Sequence, residues 1–149
     1  MYYFAYGSNM DTDQLETRFK ELKNKKFCIV GVAVLPNYEL KFNKKSTDGS
    51  GKANIIPDEK SEVEGVVFEL TEEQFMKLDE KEKGYHRNKI SVNLNNNFIE
   101  VITYIADDSN ICDGLFPTSS YLDKIVKGAA NFELSLSYQK KLGLFETRQ

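Results

Sequence analysis

Histidine occurs once in the 149-residue chain, at His86, and cysteine twice, at Cys28 and Cys112, with no C-x-x-C spacing. Counting alone therefore argues against Ser-His-Asp and Cys-His catalysis, multi-histidine metal centres and thiolate zinc sites. Carboxylates, tyrosines and backbone amides are left to carry any reaction. Two segments concentrate such groups. The first is Tyr6-Gly7-Ser8-Asn9, which follows an aromatic run and precedes a helical periodicity. That placement gathers N–H groups at the positive end of a helix dipole, beside a glycine that allows close backbone approach and two side-chain donors. Such a turn can hold a small carboxylate without lysine or arginine. On residue types alone, a plain strand-to-helix turn capped by Ser8 or Asn9 stays open.

The second segment is Leu78-Asp79-Glu80-Lys81-Glu82-Lys83-Gly84-Tyr85-His86-Arg87. Charged residues at a helix end ordinarily form a solvated face. Glu82, however, stands at the junction between a helix and an aromatic strand, where a carboxylate can be half buried and its pKa raised for acid/base work. Asp79, three residues earlier, is placed to cap or orient the loop. Tyr104 and Tyr121 read as core aromatics or as ligand contacts. His86 reads as solvent-facing, and Cys28, inside an apolar run, as a small buried hydrophobe.

Around these segments, aromatic, β-branched or alternating runs predict strands over 2–6, 27–35, 38–42, 53–57, 63–70, 85–94 and 98–106. Pro36-Asn37 marks a turn, 43–52 a polar loop, and Asn95-Asn96-Asn97 a hairpin. Leu15, Phe19 and Leu22 predict a helix over 13–23. Thr71 with Gln74 matches a capping box opening a helix whose apolar face carries Phe75, Met76 and Leu78 and which ends near Gly84. Tyr121, Leu122, Ile125, Val126 and Ala129 share one face of a later helix; Leu134, Leu136, Tyr138 and Leu142 predict a last one closed by Gly143. The tail 145–149 is expected to fray. The class is α+β, a single domain over 1–149, with six or seven mostly antiparallel strands curling into a small barrel flanked by helices.

Hydrophobic residues at 40%, with 10 Phe and 8 Tyr, give enough apolar surface to fold without metals or disulfides. The 20 basic and 23 acidic residues are mixed along the chain and sum to −3, which disfavours general nucleic-acid or anionic-membrane binding. No apolar run approaches the roughly 20 residues needed to span a bilayer, and the N-terminus lacks a signal-peptide pattern, so the cytoplasm is the expected compartment.

MYYFAYGSNM at the start, EVEGVVFELTEEQFMKLDEKEKGYHRNKISV in the centre and Tyr121 ahead of KIVKGAANFELSLSYQKKL resemble, in order and spacing, the gamma-glutamylcyclotransferases and their AIG2-like relatives. The resemblance covers most of the chain. It implies a closed or nearly closed mixed β-barrel with the ligand cavity at one mouth. It implies a glutamyl-binding loop on Tyr3, Phe4, Ala5, Tyr6, Gly7 and Ser8 with Asn9 beside it, a general acid/base at Glu82, a substrate-contacting Tyr121 and a pocket aromatic at Tyr104. The implied reaction closes a γ-glutamyl group to 5-oxoproline and expels an amine, with a small-molecule substrate, no metal or cofactor, and no nucleic-acid or membrane partner. A homodimer is left open.

Family members commonly carry glycine directly after the glutamate; here Lys83 intervenes before Gly84. A cation there would depress the pKa of Glu82. A γ-glutamylamine, a γ-glutamyl-acyl conjugate, or plain binding of an acidic metabolite without turnover remain open, because the loops over 43–52 and 107–116, expected to rim the mouth, carry no readable code.

Overall fold

Five strands close a barrel in the order β1-β3-β2-β4-β5 in the structure, a computed structural model that describes residues 1–148. The strands are β1 (Tyr2–Ala5), β2 (Cys28–Lys45), β3 (Gly51–Glu69), β4 (Tyr85–Leu94) and β5 (Asn97–Ala106). The short, aromatic β1 is inserted antiparallel to β3, with Phe4 opposite Val67, and parallel to β5 at Tyr3 and Ile102. That single parallel pairing makes the barrel mixed.

Six or seven expected strands become five because two pairs of them are continuous. The segments 27–35 and 38–42 are both β2, and 53–57 and 63–70 are both β3. Pro36-Asn37 does not end its strand. Asn37 takes a left-handed φ of 66° and the register shifts between Pro36 and Tyr38, so a bulge absorbs the irregularity and bends the ribbon. Asn95 and Asn96, with φ of 51° and 68°, form the tight turn between β4 and β5 that two consecutive left-handed residues favour.

Helix α1 (Thr12–Arg18) stops five residues short of expectation, yet Leu15 and Phe19 are fully buried. Helix α2 (Glu72–Lys81) carries the expected reciprocal capping box: Gln74 N–H donates to Thr71 Oγ1 at 3.2 Å and Thr71 N–H to Gln74 Oε1 at 2.9 Å. Its core face is Gln74, Phe75 and Leu78, whereas Met76 is 58% exposed and does not join it. Helix α3 (Ser119–Asn131) is capped by Thr118 and buries Leu122, Ile125 and Ala129. Helix α4 (Leu136–Gly143) starts after the cap Ser135, so Leu136 sits on its outer face at 83% exposure while Leu134, Tyr138 and Leu142 are buried.

The tail is docked rather than frayed. The Phe145 ring meets Phe42 edge-on at 4.8 Å, and Arg148 N–H donates to Pro117 O at 2.8 Å; Gln149 lies outside the described residues. Cys28 is exposed, not buried: it opens β2, whose first three residues are all exposed whichever face they point to. Among the described residues no helix is long and apolar enough to cross a membrane.

Candidate active site

The chain leaves β1 at Ala5 and turns through Tyr6 and Gly7 into a single 3-10 turn, Ser8–Met10, before α1 begins at Thr12. The expected dipole of a long helix is therefore not aimed from Ser8. The N-terminus of α1 is satisfied by its own cap, Asp11, whose carboxylate accepts from Asp13 N–H at 3.1 Å and lies 3.7 Å from Lys127. What the turn offers is local: backbone N–H groups at the start of a 3-10 turn and the side chains of Ser8 and Asn9. It is held by α3. A Cβ on Gly128 would lie 2.6 Å from the Met10 carbonyl carbon, so only glycine lets the helix press directly on the turn.

Glu82 is the C-cap of α2, its N–H donating to Leu78 O at 2.7 Å. Gly84, at φ 85°, then reverses the chain into β4. The end of α2 is fixed by Asp79. Arg87 of β4 grips both Asp79 oxygens (Nε to Oδ1 2.9 Å, Nη2 to Oδ2 2.7 Å), and Tyr104 of β5 donates its hydroxyl to Oδ1 at 2.7 Å. The Arg87 hydrogen bond, then the Tyr104 one, outweigh the partial burial of Asp79 and hold its pKa below the usual carboxylate value. Asp79 thus orients the loop that carries Glu82. Asp79→Ala is expected to lower kcat about 10- to 100-fold through misplacement of Glu82, with ligand affinity less affected. Steady-state kinetics on the variant check it, and an unchanged kcat would separate Asp79 from the loop's geometry.

Across the barrel mouth the turn and Glu82 meet. Asn9, 4% exposed, donates its amide to Glu82 Oε1 at 3.0 Å and to the Tyr3 hydroxyl at 2.9 Å. The orientation of that amide is set from behind. Lys124 donates to Gln14 Oε1 at 2.9 Å, so the Gln14 amide nitrogen faces inward and donates to Asn9 Oδ1 at 3.1 Å and Ser8 Oγ at 2.6 Å. Each partner thereby fixes the polarity of the next.

Burial is the chief influence on Glu82 and raises its pKa above the usual 4.5, while Arg18, the Asn9 hydrogen bond, Lys44 and Lys52 draw it part of the way back. Lys83, expected to be the depressing cation, is exposed; the acting cations come from other segments. Burial likewise lifts the hydroxyls of Tyr3, Tyr6, Tyr85 and Tyr121 well above the ordinary tyrosine range, so all four stay protonated at neutral pH.

Between the turn and Glu82 lies a narrow hollow of about 40 Å³. Of the expected residues, Tyr3, Tyr6, Gly7, Ser8, Asn9, Glu82, Tyr104 and Tyr121 line it. Phe4 and Ala5 do not; both are buried in the barrel core. Tyr104 contributes its ring, since its hydroxyl is turned to Asp79. Three lining residues escaped sequence reasoning: Ala53, Tyr85 and Thr103. The Ala53 backbone ties two tyrosines together, its N–H donating to the Tyr121 hydroxyl at 3.1 Å and its carbonyl accepting from Tyr85 at 2.7 Å. Only the position of Tyr85 directly after the Glu82 loop offered a signal; Ala53 and Thr103 are ordinary strand residues that barrel closure turns inward. His86 is solvent-facing, as expected, and its Nδ1 lies 2.8 Å from Asp107 Oδ1. The hollow therefore presents one carboxylate able to accept and return a proton, opposite backbone donors and a ring of un-ionised hydroxyls.

A family model described as gamma-glutamyl cyclotransferase, AIG2-like, matches residues 3–123. Proteins named gamma-glutamylcyclotransferase from Bos taurus and Homo sapiens are each 30% identical over 151 aligned positions, spanning 97% of this chain and 78% of their own length. A solved structure named gamma-glutamyl cyclotransferase superimposes with a TM-score of 0.88 at 28% identity, covering 100% of this chain and 89% of the other. A human protein solved as uncharacterized superimposes at 0.82 with 29% identity, covering 99% and 89%.

Proposed function

The chain belongs to the gamma-glutamyl cyclotransferase, AIG2-like family, and from that footing we propose that it cyclises a γ-glutamyl group to 5-oxoproline and releases the attached amine, with Glu82 as the proton carrier. The observation that carries this reading is the Glu82 carboxylate, sheltered at the barrel mouth 3.0 Å from the Asn9 amide and facing the Gly7 turn across the hollow.

The α-amine of the glutamyl group, freed of its ammonium proton, attacks the side-chain carbonyl carbon of the same residue. As that N–C bond forms, Glu82 takes a proton from the attacking nitrogen. It delivers the proton to the departing nitrogen as the old C–N bond breaks. The lactam leaves neutral at its new amide, the departing nitrogen leaves as a neutral amine that regains from solvent the proton the substrate ammonium had released to it, and the enzyme ends with Glu82 ionised as it began. A carboxylate with a raised pKa suits both halves, and such transfer contributes about 10²–10⁴ in rate.

Nucleophile and carbonyl share one short chain, so the site's other task is to fold that chain into attack geometry, which can supply several kcal/mol. Backbone N–H groups and the Ser8 hydroxyl at the Gly7 turn bind the α-carboxylate, and an N–H there stabilises the oxyanion as the carbonyl becomes tetrahedral. The protonated hydroxyl of Tyr121 faces the glutamyl group. Release of 5-oxoproline from a panel of γ-glutamyl compounds tests the reaction. Release is expected with at least one; binding of 5-oxoproline with no turnover of any of them would favour a metabolite-binding protein.

A further inference from the structure

The inner hollow opens past Ser8, Glu82, Tyr85 and Tyr121 into a second, wider basin of about 570 Å³. The hollow has room only for a slender chain end, so whatever the glutamyl group is attached to must lie in the basin. Six cationic side chains line it: Arg18, Lys44, Lys52, Lys81, Lys83 and Lys124. Its acids are Glu82 and Asp48, and Asp48 is already engaged, accepting from Ser50 N–H at 2.8 Å and the Ser50 hydroxyl at 2.5 Å and pairing loosely with Arg148 at 3.9 Å.

This concentration runs against the composition, since the chain as a whole carries −3. Pairing alone does not set these cations apart, because among the described residues most lysines outside the basin also meet no protein carboxylate; the distinguishing feature is that six cations line one cavity. Outside the basin Lys77, Arg87 and Lys127 each meet carboxylates, at 3.1, 2.7 and 3.4 Å. Among the described residues none of the six basin cations forms an ion pair with a protein carboxylate.

Two of the six are placed at the rim of the hollow itself. The Lys52 ammonium lies 4.0 Å over the ring of Tyr121, and Lys44 lies 5.1 Å over that of Tyr85. Arg18 adds a buried donor without a partner, its Nε–H. An orphaned guanidinium N–H is costly unless something arrives to accept from it. Lys52 has its pKa lowered chiefly by burial; Asp48 pulls it back up, and Lys124, Lys44 and Arg18 add smaller repulsions in the lowering direction.

We propose that this basin is a subsite for a polyanionic leaving group, so that the substrate class is γ-glutamyl conjugates whose departing amine carries two or more negative charges, as carboxylates or phosphate. The proposal rests on the cyclotransferase reading and narrows it. One carboxylate can engage one guanidinium or about two ammonium groups and leaves the remaining like charges unrelieved. Two or more anionic groups spread over the basin relieve Arg18, Lys44 and Lys52 together. A basin of this size accommodates a ligand larger than a single small amine, and like-signed walls draw an oppositely charged ligand toward the mouth.

The test is 5-oxoproline release from γ-glutamyl-alaninamide, γ-glutamyl-alanine, γ-glutamyl-glutamate and γ-glutamyl-phosphoserine, with kcat/KM measured at low salt and at 0.5 M salt. The expected result is at least about a tenfold preference for γ-glutamyl-glutamate over γ-glutamyl-alaninamide at low salt, shrinking severalfold at high salt as the charges are screened. The phosphoserine conjugate tells a phosphate-selective basin from one that counts charge alone. Arg18→Gln should bring the preference down toward one. Any effect of that change on Glu82 applies to every substrate alike and cancels in the ratio. Lys81→Gln combined with Lys83→Gln, at two exposed positions, repeats the test without touching the core. A panel turned over with no regard to charge or salt, or a preference that survives both sets of substitutions, overturns the subsite and leaves the reaction standing. A panel from which no member releases 5-oxoproline overturns the reaction, and the subsite with it.

Discussion

Glu82→Gln is expected to reduce 5-oxoproline release at least about a hundredfold while keeping ligand affinity and raising the thermal midpoint at neutral pH. The amide keeps the shape of the side chain and an oxygen for Asn9 to donate to, so the wall of the hollow is preserved. It cannot take a proton from the attacking nitrogen. The stability gain follows from the direction of the pKa shift. Burial raises the folded-state pKa of Glu82 above its ordinary 4.5, so its protonated form is the one the fold favours. That contribution is fully present below the unfolded value and is lost as pH rises through the raised folded value. At neutral pH the ionised carboxylate is thus a net burden on the fold, which an uncharged isostere removes. Below pH 4.5 the gain should fade. Turnover, calorimetric binding of 5-oxoproline, and thermal unfolding at neutral and acidic pH read all three effects. Near-normal release of 5-oxoproline by the variant would remove Glu82 from the chemistry.

Gly7→Val should abolish ligand binding for a steric rather than a conformational reason. Gly7 has φ −113° and ψ −144°, so no left-handed strain is involved. A Cβ there would stand 3.4 Å from Ala53 Cβ and 3.7 Å from the Tyr121 hydroxyl, ordinary contacts that alanine satisfies. The two further methyl groups of valine project beyond it toward a hollow of only about 40 Å³ and cover the backbone N–H groups of the turn. Alanine should therefore weaken binding modestly, and valine should weaken it at least about a hundredfold, as the turn's donors are lost to the ligand. Calorimetry with 5-oxoproline separates the two. Unchanged affinity in the valine variant would mean that the ligand does not approach the turn.

The features legible in the sequence are those set by neighbours in the chain. The capping box of Thr71 and Gln74 and the Asn95-Asn96 turn need only local geometry, and both stand as expected. The strand count erred where a distant partner overrode a local signal: pairing with β3 carries β2 through Pro36-Asn37 by means of a bulge. Met76 and Leu136 are apolar residues whose side of the helix is settled by what the helix packs against, which periodicity over ten or fewer residues leaves undetermined. At the site, Tyr6-Gly7-Ser8-Asn9 and Glu82 were identifiable as chemically equipped segments, and their likeness to a known family gave them an order. Their meeting through the Asn9 amide was not, because 73 residues separate the partners. The basin was even less legible. Its six cations come from scattered positions whose lysines, read along the chain, are ordinary surface residues.

The most direct measurement follows the Glu82 carboxyl carbon by NMR across pH beside the pH dependence of kcat/KM, in the wild-type protein and in Glu82→Gln. The carboxyl should titrate clearly above 4.5, activity should fall as pH drops through that same value, and the variant's residual rate should lack this limb. A carboxyl titrating at the ordinary value, or an acidic limb that persists unchanged in the variant, would contradict a proton shuttle through Glu82.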